Sequence, residues 1–359
     1  MNGKYMVVGG YGEVGRNVVK QLHQLYPRNV IVAGRSFSKA QACAKTIDSN
    51  VEARQLDISE HKDFGAVLAN VSMVIMCIDC HNQAFLQNCW ENGLKYIDIT
   101  ASVEVISLIE SMDQQVASSK STAILSVGVA PGLTNLLAKY CFEERPDATQ
   151  IDIVIMLGLG EKHGLAAIEW TLKQLNTLFS LKSTKVSREV PNFSEPSDYY
   201  LPFGLGKRVA YRYNFSDQHT LKNTLSFENI DTRLCFDSRI MSRFYYLITR
   251  FRIAKLFGYP YVLKSMARLL QRFHLGKELY CVYVQATSPN RRMSMALKGE
   301  REALATAQVA ATVASLFFEK DLPHGVYHID QLMDLEQFIT AADKTGYSAV
   351  RSFTTEIIN

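Results

Sequence analysis

A doubly wound parallel α/β sheet, followed by a second mixed α+β domain, is the fold the sequence predicts, and three observations predict it. The chain opens with a short apolar strand that runs through Gly10-x-Gly12-x-x-Gly15 into an amphipathic helix carrying Val14, Val18, Leu22 and Leu25 at helical spacing. Strands and helices then alternate six times in about 130 residues, the pattern of a parallel sheet with right-handed crossovers. Beyond them the pattern changes to a mixture of strands and basic, aromatic helices, and at 359 residues the chain exceeds one typical domain. The expected division is a first domain over 1–132 and a second over 133–334.

The glycine spacing has a physical reading. Gly10 permits a tight turn, Gly12 lets backbone approach a pyrophosphate, and Gly15 lets the helix pack closely on its strand. The first helix amides, reached through Tyr11, Glu13 and Val14, lack intrahelical partners and point at the ligand, so a dinucleotide can dock its diphosphate there. This is the fingerprint of a Rossmann domain, whose ligand lies outside the carboxyl ends of the strands.

The next strand, Asn29 to Ala33, ends in Gly34-Arg35-Ser36. An NAD site usually places a carboxylate about 20 residues past the glycines to hold the ribose 2′-hydroxyl. Between Glu13 and Asp48 there is no Asp or Glu, and Arg35, Ser36 and Lys39 instead offer a fork, a hydroxyl and an ammonium to a 2′-phosphate. The cofactor expected is therefore NADP(H). Ser36 can equally cap the helix from about Ser38 to Ile47.

A third strand, Val51 to Leu56, ends at Asp57, placed to meet an adenine or to start a turn. Val71 to Ile78 is a nearly continuous apolar run suited to the inside of a parallel sheet. It leads into Cys77-Ile78-Asp79-Cys80-His81, which reads as a nucleotide-facing loop; no second pair with ligand spacing follows, so no metal is expected. Tyr96 to Thr100 and Ala123 to Val127 complete the strands, with a helix Glu104 to Ser118 between them, and Asp98, Thr100, Asp79 and Gly128 are expected at the crevice.

After the last strand, Gly128-x-x-Pro131-Gly132-Leu133-x-Asn135 breaks the strand and opens another helix. With the glycine fingerprint, Ala33-Gly34-Arg35-Ser36 and Tyr96-Ile97-Asp98-Ile99-Thr100, this segment resembles the saccharopine dehydrogenase family, more narrowly its bacterial stand-alone branch. The matches cover the first domain, the surroundings of Gly160 to Trp170 and the last 60 residues. The resemblance implies hydride transfer at a carbon bound to nitrogen, as in a secondary amine joining an amino acid to an oxoacid. It also implies that a C-terminal segment near 335–359 returns to the first domain. The family's saccharopine-forming members carry acids where this chain has Ala130 and Thr134, so a different proton donor is needed, His163 or a water held by Asp98 or Thr100.

In the second half, Ile151 to Leu157 is a strand, Gly158 to Gly164 a polar loop, and Leu165 to Leu178 a helix. His163 in that loop is the residue type whose ordinary pKa lies near neutrality, which makes it, with Asp98, a catalytic candidate; it reads equally as a helix-start residue. Residues 183–206 read as a loop or lid, and Arg208 to Phe215 and Thr224 to Phe236 as strands. From Arg239 to Lys277 there are nine Lys or Arg and no Asp or Glu, among many aromatics, in two helices broken near Gly258 and Pro260. Such a hairpin suits a solvated basic face, an anionic membrane or the attraction of a carboxylate substrate. Glu278 to Ala286 pairs with Arg292 to Leu297, and an alanine-rich helix, Glu300 to Phe318, and a last helix, Leu335 to Thr345, follow.

A net charge of +4 with no basic-aromatic strand motif gives no reason to expect nucleic acid. Seven cysteines read as reduced thiols, the N-terminus enters a strand at once with no room for a leader, and no uncharged apolar run is long enough for a span. The expectation is a cytoplasmic homodimer or other homo-oligomer acting on a small molecule that carries a carboxylate. Two rival readings stand beside the amine chemistry. One is a reductase of a C=C or C=O bond in a lipid or polyketide-like substrate; the other is a nucleotide-binding module without catalysis.

Overall fold

The computed structural model describes residues 3–60, 63–161, 165–182, 187–272, 276–319 and 322–357. They form two compact units, Met1–Leu136 with Ala303–Tyr347, and Leu137–Glu302 with Ser348–Asn359.

In the first unit β1 (Lys4–Val8), β2 (Val30–Gly34), β3 (Glu52–Gln55), β4 (Val71–Met76), β5 (Lys95–Asp98) and β6 (Thr122–Leu125) are crossed by helices that include α1 (Glu13–Leu25) and α2 (Phe37–Ile47). The strands lie parallel in the order β6-β5-β4-β1-β2-β3, so the order reverses between β1 and β4. A ligand crevice at the strand carboxyl ends is expected at that reversal. The strands are apolar on both faces because helices cover both: Met6, Ile31, Val74, Tyr96 and Leu125 share one core with Phe85, Trp90 and Ile106.

The second unit holds a mixed sheet. It contains β7 (Gln150–Leu157), β10 (Ser194–Leu201), β11 (Gly206–Arg212), β12 (Ile230–Phe236), β13 (Leu279–Thr287), β14 (Arg291–Glu300) and β16 (Val350–Ile357), in the order β10-β11-β12-β7-β13-β14-β16. A separate hairpin pairs β8 (Leu178–Lys182) with β9 (Ser187–Pro191). The β13–β14 hairpin keeps one register throughout, from Leu279 opposite Glu300 to Thr287 opposite Arg292.

Several elements differ from expectation. The stretch 183–206 is not a loop: its described residues supply β9 and β10, and Pro196 is tolerated because β10 is an edge strand. Thr224 ends a helix, Asp217–Thr224, and the strand there starts only at Ile230. The helix expected over Glu104 to Ser118 is two, Val103–Glu110 and Asp113–Ser118. The segment grouped with the first sheet begins at Ala303 rather than near 335. It contributes a seventh parallel strand, β15 (Gly325–His328), beside β6, while 350–357 pairs with β14 instead.

Candidate functional site

The glycine turn closes where β1 meets α1. Gly9, not Gly10, takes the left-handed conformation, with φ +78°, and the Ile78 side chain lies against it. Gly10 is required for space: a Cβ there would stand 2.8 Å from the Val7 carbonyl oxygen. At Gly15 a Cβ would fall 2.3 Å from the Gly9 carbonyl oxygen and 2.9 Å from Gly10 Cα, so the helix is pressed directly on the turn. Gly12 differs. Its nearest neighbour would be the Gly9 oxygen at 3.1 Å, and apart from the adjoining residues Tyr11 and Glu13 no other atom of the described residues lies within 4 Å of that position. The open side of Gly12 is the room a diphosphate needs, and no side chain caps α1 there.

At the end of β2 the Tyr11 ring covers Gly34, where a Cβ would meet it at 2.5 Å, and the Ser36 amide donates to the Tyr11 hydroxyl at 3.4 Å. Gly34 therefore makes room for Tyr11. Ser36 is the cap of α2, its Oγ accepting from the Lys39 amide at 3.5 Å. Arg35 and Lys39 are exposed beside it, and Gln55 donates to the Arg35 carbonyl. Asp57 uses one carboxylate oxygen on the Ser59 amide (3.0 Å) and hydroxyl (2.6 Å), so it forms a turn at the end of β3.

On the other side of the reversal, Cys77, Ile78 and Asp79 follow β4, and the Thr100 hydroxyl donates to Asp79 at 2.5 Å. The Thr100 amide donates to Asp98 at 2.8 Å, and the Tyr96 hydroxyl donates to the other Asp98 oxygen at 2.7 Å. Asp98 is wholly buried, with 0% exposure. Burial first, and the nearby Asp79 charge second, outweigh the two hydrogen bonds and push its carboxyl up to about 7. Asp98, expected at the crevice from its strand end, is buried against Tyr96 and Thr100, and the exposed carboxyl at that strand end is Asp79. Cys80 is a buried thiol held up near about 12 by desolvation, with its S–H directed at the Asn82 carbonyl. His163 lies outside the described residues.

Two side-chain networks that sequence reading did not anticipate hold the segment after β6. Asn135 accepts from the Gly132 amide at 3.1 Å and donates to Asp330 at 3.0 Å, all three buried. Ser126 meets His328 Nδ1 at 2.8 Å, and His328 Nε2 meets Glu110 at 2.9 Å. The partners lie about 200 residues apart, so no local signal could have joined them. Asn135→Ala leaves a buried carboxylate and a buried amide short of a partner. It should cost about 3 kcal/mol in chemical denaturation, and a loss under 1 kcal/mol would mean the segment is held by other contacts.

A concavity of about 680 Å3 lies elsewhere, on one face of the second sheet, lined by Asp152, Tyr199, Tyr283, Gln285, Arg292 and Glu356 among others. It has no glycine turn or helix start to receive a diphosphate, so the nucleotide site is assigned to the strand ends of the first unit by geometry rather than by cavity size.

Comparison with known proteins agrees with that assignment. Residues 6–145 match the family model described as the saccharopine dehydrogenase NADP binding domain. No curated protein matches the chain in sequence. Among solved structures, the apo saccharopine dehydrogenase (L-Glu forming) of Saccharomyces cerevisiae aligns over 98% of this chain and 100% of its own, with TM-score 0.66 and 14% identity. A dipicolinate-bound dihydrodipicolinate reductase from Paenisporosarcina sp. TG-14 aligns over 93% and 100%, at 9% identity and TM-score 0.47. At 14% identity the likeness to the yeast enzyme speaks to fold alone.

Proposed function

From a chain that is saccharopine dehydrogenase-like in its nicotinamide-nucleotide domain and in its fold, we propose an NADP(H)-dependent oxidoreductase acting at a carbon bound to nitrogen in an amino-acid-derived substrate. The observation that carries the reading is the open side of Gly12 at the uncapped start of α1, with cations rather than an acid at the end of β2.

In this reading the amides of Glu13, Val14 and Gly15 orient the diphosphate, Tyr11 and Ile78 wall the turn, and Arg35 with Lys39 takes the 2′-phosphate. Cys77 lies beside Ile78 at the end of β4. The nicotinamide supplies the hydride when bound. The protein's part is to fix the acceptor carbon and exchange one proton with the neighbouring nitrogen. Asp79, exposed at the end of β4 and accepting from the Thr100 hydroxyl, is a candidate to exchange that proton, and His163 a second.

Titration with each reduced nucleotide tests the cofactor assignment. NADPH should bind more tightly than NADH, and Arg35→Ala should narrow that ratio roughly 10- to 100-fold, the worth of a charge-assisted contact. An unchanged ratio would remove Arg35 from the site. Turnover over a panel of cyclic and secondary imines, ketones and enoyl compounds decides the bond reduced, and activity on enoyl compounds alone would overturn the amine reading.

A further inference from the structure

The segment 239–272 packs in the second unit yet leaves an apolar face uncovered. Helix Arg239–Arg250 buries Ser242, Tyr245, Ile248 and Thr249. That face is satisfied: Tyr245 stands 5.6 Å from the Phe193 ring and 5.1 Å from the Phe236 ring. A helix packed once on its own sheet needs a single apolar stripe, and this one has two. Ile240, Phe244, Leu247 and Phe251 recur at i, i+4, i+7 and i+11, pointing away from the buried face, and are 81%, 44%, 37% and 68% exposed. Arg239, Arg243 and Arg250 run beside that stripe at i, i+4 and i+11.

The surface continues. The turn Ile253–Gly258 buries Ala254 and Phe257 but exposes Ile253 and Leu256; Tyr259 after it, and Tyr261 and Leu269 on the next helix, Pro260–Arg272, stay exposed. Half of the exposed large apolar side chains of the described residues fall between Ile240 and Leu269. Arg252, Lys255, Lys264 and Arg268 are interspersed among them, and the sequence has no acid from Ser238 to Lys277. A notch of about 350 Å3 is lined by Lys173, Asn176, Phe257, Leu263 and Lys264 among others, with Glu169 the one acid in its lining.

We propose that this face docks on an anionic phospholipid bilayer, the apolar stripe entering the interface and the arginines and lysines meeting lipid phosphates. Charge selects the occupant. Apolar side chains interleaved with cations of one sign repel a second copy of the same face, and they match a surface that is negative outside and apolar beneath. The contact is peripheral: among the described residues no helix is long and apolar enough to cross a membrane.

Vesicle flotation of the full chain tests this, with phosphatidylcholine alone against phosphatidylcholine mixed with phosphatidylglycerol. The protein should float with the anionic vesicles and stay behind with the neutral ones. Arg250→Gln, Arg252→Gln and Lys255→Gln together should weaken partition roughly a hundredfold, and Ile240→Ser with Phe251→Ser should abolish it. Both variants should keep the wild-type thermal melt and NADPH affinity, because these side chains are exposed and lie outside the nucleotide domain. Equal flotation with both vesicles, or folded variants that float like wild type, would overturn the proposal. So would a soluble dimer that Ile240→Ser and Phe251→Ser dissociate, which would assign the face to a second copy.

Discussion

Gly12→Val should abolish binding of NADPH and NADH while leaving the first unit folded, whereas Gly15→Ala should damage the fold itself. The two glycines sit three residues apart in one motif, yet their surroundings differ. A side chain at Gly12 finds only the Gly9 oxygen at 3.1 Å and then open space, and its backbone, at φ −69° and ψ 175°, suits any residue. The stability cost there should be about 1 kcal/mol or less, while the branched side chain fills the space claimed for the diphosphate. At Gly15 the obstacles are backbone atoms of Gly9 and Gly10, 2.3 to 2.9 Å away, which cannot swing aside. That substitution should cost about 3 kcal/mol by prying α1 off the turn. Nucleotide fluorescence titration beside thermal melts separates the two effects. Retained affinity in a folded Gly12→Val protein would make the turn a structural feature only.

The second large effect is a pH dependence carried by Asp98. Its carboxyl titrates near 3.9 when unfolded and at about 7 in the folded chain. Between those values the folded state binds the extra proton, so stability falls as pH rises. The contribution is full below about pH 4 and is lost as pH climbs through 7, amounting to at most about 4 kcal/mol. Glu52 and Glu195 titrate the opposite way, because paired cations hold their carboxyls below the usual range, so the total profile mixes both signs. The comparison with Asp98→Asn isolates the one residue: denaturation at pH 5 and pH 8 should show the wild type losing ground to the variant at the higher pH. Parallel profiles would mean that water reaches Asp98 and that burial does not raise its carboxyl.

The first sheet was legible because its signals are local. The glycine spacing, the apolar run of Val71 to Met76 and the strand-helix alternation each sit within a few residues, and the observed strands lie within two or three residues of their expected ends. The same holds for the β13–β14 hairpin around Ser288-Pro289-Asn290. Reading failed where pairing is long-range. Residues 194–201 contain Pro196 and several polar groups and resemble a loop until β11 supplies their ladder. The four residues of β15 are a strand only because β6, two hundred positions earlier, offers an open parallel edge.

For the site, the sequence by itself located the glycine turn between β1 and α1 and the acid-free end of β2, since Gly10, Gly12, Gly15 and Arg35 are read from their own spacing. Only the tertiary structure decided what each neighbouring group can do. It buried Asp98 against Tyr96 and Thr100. It anchored Gly132 through Asn135 to Asp330, and it left a second apolar stripe on helix Arg239–Arg250 uncovered. The reason is physical: spacing along the chain fixes local conformation, but burial, and with it charge state and reach, depends on what distant segments bring alongside.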